Sequence, residues 1–180
     1  RSGRAADAAG TMAVLTRSFP DAGPLLTAQL AVMAANPETR GAVREVMAID
    51  PQLRAAVLEQ LARQGADAGT ILDLAGRPEG GSPAWQRILL DRLVERGEVA
   101  EAHRVWQRLG GARPPAPPGI YDPDFAGLPG LPPFNWNLET SGEGFAERAD
   151  RGLHVEYYGR GNARMASQLL VLPPGTYRLS

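Results

Sequence analysis

The sequence predicts a mainly α-helical chain that ends in an antiparallel β segment. Residues 1–110 are rich in Ala, Leu and Arg, and their apolar residues recur at helical spacing. Eight of the sixteen prolines lie between Pro114 and Pro133. Aromatic residues, glycines and alternating apolar and polar residues follow, which is typical of short strands. We therefore expect a helical domain over 1–110, a Pro-rich linker over 111–133, and an incomplete β-sandwich-like module over 134–180.

Helix-terminating and helix-starting residues divide the helical part. Asn36-Pro37 and Asp50-Pro51 each place an N-cap residue before a proline that suits the first helical turn. Pro20 is expected to end a first helix over 5–19, and a short helix is expected over 67–74. The sequence thus predicts several short helices joined by very short connections.

The clearest helical unit covers residues 82–109. Two apolar stripes lie on either side of Gly97, which predicts two antiparallel helices joined by a turn. One such hairpin cannot bury both of its apolar faces, whereas a row of stacked hairpins can. Trp85 and Trp106 are expected to lie in this helical core.

This unit resembles a tetratricopeptide repeat. The matching positions are Leu89, Leu93, Gly97, Ala102, Trp106 and Pro114, whereas Leu90 and Leu109 stand where the family has Gly and Ala. The match covers about one repeat. The resemblance implies an α-solenoid of helical hairpins (TPR-like) whose surface binds a protein or peptide; a generic helical bundle is the alternative.

The C-terminal part shows several strand-like runs. These are residues 134–138, 152–158, 167–172 and 177–179. Asp122, Asp124 and Phe125 precede a Pro-rich loop and Trp136, and residues 169–179 combine an apolar run with a Pro-Gly turn. This order resembles the first part of a carbohydrate-binding-module-like jelly roll. We expect the strands to pack on the helices, to pair with another chain, or to remain partly disordered.

Aromatic side chains are the candidates for ligand binding. Trp136, Tyr157 and Tyr158 could stack on the apolar faces of a sugar, as the resemblance implies. A core position for Trp136, next to Phe134, is the alternative. Residues 158–162 (YGRGN) lack the Lys and Ser/Thr of a phosphate-binding loop and are expected to form a hairpin loop.

Asp122 and Asp124 are the candidate metal ligands. Carboxylate oxygens are preferred by Ca²⁺, and some sandwich modules bind a structural calcium ion at this position. A turn is the alternative, because Asp-Pro is a turn-forming dipeptide. No other cofactor is expected.

Several classes of chemistry are excluded or disfavoured. Cysteine is absent and there are only two histidines, His103 and His154, so neither a zinc–thiolate nor a multi-histidine site can form. No residue set provides a nucleophile with its base, so we expect no catalytic residues. The net charge of -1 argues against nucleic-acid binding through bulk phosphate attraction, and no apolar run reaches the ~20 residues of a membrane span.

The sequence leaves three functions open. The first is a non-enzymatic protein–protein interaction scaffold built on helical repeats. The second is a carbohydrate-binding protein that handles bacterial surface polysaccharide, which would favour a periplasmic or exported protein over a cytoplasmic one. The third is a non-catalytic segment of a larger enzyme. Because the chain starts at Arg1 and stops inside a strand-like run, we expect it to be part of a longer protein.

Overall fold

The computed structural model describes residues 2–76, 82–110, 119–150, 152–159 and 161–178. Within them lie seven α-helices, one short 3-10 helix at Pro20–Ala22, and five short strands. The helices are α1 Ser2–Ser18, α2 Gly23–Ala35, α3 Pro37–Ile49, α4 Pro51–Arg63, α5 Ala68–Ala75, α6 Ala84–Glu95 and α7 Val99–Arg108. The strands are β1 Asn137–Leu138, β2 Thr140–Ser141, β3 Gly144–Ala149, β4 Gly152–Tyr157 and β5 Ala166–Ser167. The predicted fold class, mainly α with a C-terminal antiparallel β segment, is confirmed.

The chain divides into two compact units, residues 1–92 and residues 93–180, with the division inside α6. The domain boundaries drawn from composition at residues 110 and 133 remain a prediction. Residues 111–118 of the expected linker, including Pro114, lie outside the described residues, as do residues 77–81 of the loop before α6.

The helices of the first unit begin where the capping residues predict. Asn36 Oδ1 accepts a hydrogen bond from Glu38 N at 3.0 Å, and Asp50 Oδ1 accepts one from Leu53 N at 3.0 Å. These bonds satisfy amide groups that the first helical turn leaves without a partner. Asp67 caps α5 in the same way, accepting from Thr70 N at 2.8 Å. Local side-chain chemistry therefore sets the one-residue links before α3 and α4.

Helices α3 and α4 are copies of one 14-residue pattern. Residues 36–49 and 50–63 align without a gap, and Pro, Arg, Ala, Val, Glu and Ala recur at identical positions. The structure places equivalent residues in the core: Val43 and Val57 are both fully buried, as are Met47 and Leu61. The internal repeat is therefore a single helix with its N-cap.

Helices α1 to α4 pack in a stacked order. Each helix contacts the next, and each also contacts the next but one: α1 packs on α3, and α2 packs on α4. The core between them is apolar, and its fully buried side chains include Leu30 of α2, Val43 and Met47 of α3, and Val57 and Leu61 of α4. Such packing, in which each helix covers apolar side chains of its neighbours, is typical of a row of helices.

The predicted turn between α6 and α7 forms. Gly97 has φ +78°, in the left-handed region that favours glycine, and Glu98 N donates to Leu93 O at 2.9 Å. Trp85 and Trp106 are both buried, as expected. Helices α6 and α7 and the turn between them therefore form within the predicted range 82–109, and the antiparallel packing of the two helices remains a prediction.

The strands form two small antiparallel sheets. One sheet has the order β2-β3-β4, and the other consists of β1 and β5. In the β3–β4 hairpin, Ala146 lies opposite Val155 and Arg148 lies opposite Leu153. Because side chains alternate between the two faces of a sheet, these four residues share one face with Gly144 and Tyr157.

Several strand predictions were wrong in extent. Residues 167–172 contribute only Ser167 to a strand, and the apolar residues 170–172 remain exposed. Residues 132–135 form a turn that Asn135 N closes by donating to Leu131 O at 3.2 Å, and Pro132 and Pro133 at its start offer no amide donor to a strand. Tyr177 and Arg178 lie in no strand, and Leu179 lies outside the described residues. Strand β3 was not predicted at all.

The second unit has an aromatic core around α7. The Trp106 ring lies 5.6 Å from the Tyr121 ring and 5.7 Å from the Phe134 ring, and its Nε1 donates to Leu131 O at 2.9 Å. Residues 119–135 therefore pack on α7. The three expectations for the C-terminal strands, packing on the helices, pairing with another chain or partial disorder, remain predictions, because residues 119–135 lie in no strand.

Candidate functional site

The side chain of Trp136 makes two contacts within the protein. Its side chain is half-buried, its ring stacks on Phe125 at 4.7 Å, and its Nε1 donates to Asp122 O at 2.8 Å. One ring face and the only polar atom of the indole are thus used within the protein. The two expectations for Trp136, a sugar contact and a core position, both remain predictions.

Tyr157 and Tyr158 are both about half exposed, at 52% and 49%. They point to opposite sides, because they are successive residues of an extended chain. Tyr158 N donates to Glu143 O at 2.8 Å, and the Tyr157 hydroxyl donates to Gly161 O. Among the described rings, neither contacts Trp136. The structure therefore leaves two accessible tyrosines but does not join the three predicted aromatic residues into one surface.

Asp122 is held by protein groups. Its Oδ1 accepts from Gly127 N at 2.8 Å, and its Oδ2 lies 2.6 Å from Arg148 Nη1 in an ion pair whose two side chains are only 9% and 16% exposed. Asp124 is exposed, and its Oδ1 accepts from Ala126 N at 3.3 Å. Within the described residues, no group of three or more His, Asp or Glu side chains could hold a metal ion. Each aspartate accepts a backbone hydrogen bond in this loop, and calcium binding by the two residues remains a prediction.

Arg148 joins strand β3 to the loop before it. The same Nη1 atom donates to Phe125 O at 2.9 Å and to Gly127 O at 3.0 Å, and the guanidinium lies 5.7 Å from the centre of the Phe125 ring. Carbonyl and carboxylate oxygens from one loop thus converge on one cation. This cluster was missed in the sequence because Arg148 stands 26 residues after Asp122 and carries no local signal.

The carboxyl group of Asp122 has a lowered pKa. Burial raises the pKa of this group, but the hydrogen bond from Gly127 and the contact with the Arg148 guanidinium outweigh burial. Asp122 is therefore ionised across the physiological range, which fits an ion-pair partner rather than a proton donor.

The two histidines have structural surroundings. His103 stacks on Trp106 at 5.6 Å and meets the edge of Phe134 at 5.1 Å, and desolvation by burial lowers its pKa. His154 is exposed and its Nδ1 lies 3.1 Å from Glu147 Oε1. His103 thus lies against two aromatic rings, and His154 lies beside a carboxylate.

The helical unit exposes apolar side chains that the sequence reasoning did not single out. We call them the exposed apolar set; they are Val14, Leu15, Phe19, Leu25 and Val32, with exposed fractions from 36% to 67%. On α2, Leu25 and Val32 are seven residues apart and so lie on one side of the helix. Leu30, Ala31 and Ala34 of α2 are buried, so this helix has apolar residues on its covered and its uncovered side.

A shallow depression on α1 borders the same set. Its lining residues are Ala6, Asp7, Gly10, Thr11, Val14 and Leu15. A Cβ atom placed on Gly10 would meet no atom within 4 Å, so the space above this glycine is open. Small side chains beside exposed apolar ones therefore leave room for another chain to approach α1.

Comparison with known proteins gives no assignment: no family model, no curated protein and no solved structure matches the chain. Among the described helices, none is long and apolar enough to span a membrane.

Proposed function

We propose that the chain is a non-enzymatic protein–protein interaction scaffold built on helical repeats, and that its helical unit binds an apolar peptide segment of a partner protein. The observation that carries the proposal is the exposed apolar set, whose members lie on α1, on α2 and at Phe19 between them. Apolar residues on both sides of a helix are typical of a helix that is covered on both sides. An amphipathic partner helix would cover the open side, as in helix-in-groove recognition.

The helical-repeat part of the proposal rests on two observations. Helices α3 and α4 share a 14-residue pattern, and α1 to α4 contact their neighbours and next-but-one neighbours. Both features are typical of repeat proteins, whose extended surfaces bind peptides. The tetratricopeptide resemblance around Leu89 and Trp106 points the same way, although the 14-residue pattern is a single-helix unit and that family repeats two helices.

The expected affinity is modest. Burying a fully exposed Leu, Val or Phe side chain contributes about 1.5–3 kcal/mol, and the members of the set are roughly half covered already. Covering all five would contribute on the order of 5 kcal/mol before the cost of ordering the partner. The set alone would therefore support transient binding, and a stable complex would need further contacts.

A selection experiment tests the proposal. A random peptide library is displayed and selected on the whole chain, and fluorescence anisotropy then measures the dissociation constants of the recovered peptides. A Leu25→Glu/Val32→Glu variant should weaken binding at least about tenfold, because each glutamate would be desolvated by the bound peptide. Leu128→Glu is the matched control, since Leu128 is 90% exposed in the other unit and should leave binding unchanged. Equal affinity for all three proteins would contradict the proposal.

Carbohydrate binding is the second candidate, and the half-exposed Tyr157 and Tyr158 favour it. Their rings are accessible for stacking on a sugar. Affinity electrophoresis in gels that contain a bacterial exopolysaccharide tests it, with Tyr158→Ala compared with Tyr177→Ala. Tyr158 and Tyr177 are each 49% exposed, so the two substitutions remove equally accessible rings. Only specific binding at Tyr158 would make retardation depend on Tyr158 and not on Tyr177.

A further inference from the structure

Strand β4 is the open edge of its sheet. The order β2-β3-β4 leaves one side of β4 without a neighbouring strand among the described residues. Its side chains at Val155 and Tyr157 are 43% and 52% exposed, although their opposite neighbours on β3, Ala146 and Gly144, are buried. This face of the sheet is therefore buried at β3 and about half exposed at β4.

The unpaired backbone groups of this edge can be assigned to residues. Tyr158 N donates to Glu143 O, so positions 158, 156 and 154 form the hydrogen-bonded pairs with β3. In an antiparallel pair the intervening residues direct both backbone groups to the other side. The outer edge of β4 thus offers the amide and carbonyl groups of Leu153, Val155 and Tyr157.

The edge lacks the features that usually prevent pairing with another strand. Proteins protect open edges with Pro, a β-bulge or charged side chains, above all Lys, and the one acidic residue of β4, Glu156, lies on the solvent face. Strand β4 reads GLHVEY, and its register with β3 runs from Gly152 to Tyr157 without a bulge. The edge is therefore competent to accept a further strand.

The sequence of β4 is complementary to itself in one antiparallel register. If Val155 lies opposite Val155 of a second copy, then Leu153 lies opposite Tyr157, and His154 lies opposite Glu156. The first two pairs are apolar and lie on the half-covered face, and the third can form an ion pair on the solvent face. Val155, Leu153 and Tyr157 would also become the hydrogen-bonded positions, which gives about six new backbone hydrogen bonds.

We propose that β4 pairs with β4 of a second copy of this chain, on a two-fold axis through Val155, and so joins two three-stranded sheets into one six-stranded sheet. The polar complementarity of His154 and Glu156 favours a second copy, because the two-fold axis brings these two residues together twice. Glu147 strengthens this arrangement, since its Oε1 lies 3.1 Å from His154 Nδ1 and places a second carboxylate beside the imidazole. The interface uses one short strand, so the dimer is reversible.

Sedimentation equilibrium on the whole chain over a wide concentration range tests this proposal. The wild-type chain should form a reversible dimer. Val155→Lys should raise the dimer dissociation constant at least about tenfold, because it places two like charges opposite each other on the axis. Val171→Lys is the matched control, since Val171 is 42% exposed and lies outside β4. A chain that stays monomeric, or equal weakening by the two lysines, would overturn the proposal.

Hydrogen exchange gives a second measurement that does not depend on the variants. In the dimer, the amides of Leu153, Val155 and Tyr157 should become protected as concentration rises, whereas the amides of His154 and Glu156 are already bonded to β3. Dimerisation without protection at these three amides would place the interface elsewhere and refute the pairing. Glu156→Lys, which lies on the solvent face, should also weaken the dimer by removing the pair with His154.

Discussion

Replacing Arg148 by alanine is the sharpest test of how the second unit is held together. The ion pair with Asp122 is nearly buried, with side-chain exposures of 16% and 9%, and two carbonyl oxygens share the same nitrogen. Removing one partner of a buried pair costs about 3–5 kcal/mol, because the remaining charge is desolvated without compensation. Because both side chains keep some exposure, we expect Arg148→Ala to lower the free energy of unfolding by about 3 kcal/mol, the lower end of this range.

The assay is urea unfolding followed by tryptophan fluorescence. The measurements are made in a Trp85→Phe background, because Trp106 and Trp136 then report on the second unit alone. Arg164→Ala is the control: Arg164 is exposed and should change the free energy of unfolding by less than about 0.5 kcal/mol. If Arg148→Ala were no more destabilising than Arg164→Ala, the cluster around Asp122 would be irrelevant to stability and the reasoning would be refuted.

Three further predictions concern the same unit. The pKa of Asp122 is lowered in the folded state. The ionised Asp122 therefore contributes to stability above the ordinary carboxyl pKa of about 4, and this contribution is lost as the pH falls below that value. An Asp122→Asn variant should flatten this part of a curve of stability against pH. Burial lowers the pKa of His103, so stability should also fall as pH drops below about 6.5, and His103→Gln should remove that loss in thermal unfolding. Adding Ca²⁺ or a chelator should leave the melting temperature unchanged, because Arg148 already neutralises Asp122; a rise with Ca²⁺ would support the calcium site instead.

The helical part of the fold was predictable because its signals are local. Asn36 and Asp50 bond to amides two and three residues later, and the prolines that follow suit only a first helical turn. Such residues act in the same way in almost any fold. The core positions Val43, Val57 and Leu61 followed from their spacing for the same reason.

The β segment was less predictable because a strand needs a partner strand, and the local sequence does not indicate which segment will pair with it. Residues 167–172 are as apolar as a strand, yet only Ser167 finds one, opposite Asn137. Strand β3 contains Glu147 and Arg148 and lacks a continuous apolar pattern, but its pairing with β4 makes it the centre of the three-stranded sheet. Non-local pairing decided both cases.

The candidate site shows the same division. Asp122 as a calcium ligand stays a prediction, and its partner Arg148 depends on the β3–β4 register and could not be read from the sequence. Trp136 was predicted both as a sugar contact and as a core residue, and only its stack on Phe125 distinguishes the two surroundings. The sequence could not predict that Leu25 and Val32 are exposed, because α2 is apolar on all sides.

Methyl NMR on the whole chain, titrated with a peptide recovered from the display selection, tests the central claim most directly. The scaffold proposal predicts that the methyl signals of Leu25, Val32 and Val14 shift and saturate with the peptide. Signals from the other unit, such as those of Leu128 and Val171, should stay in place. Shifts confined to Leu128, Val171 and their surroundings, with no change at Leu25 and Val32, would contradict the claim that the helical unit is the binding surface.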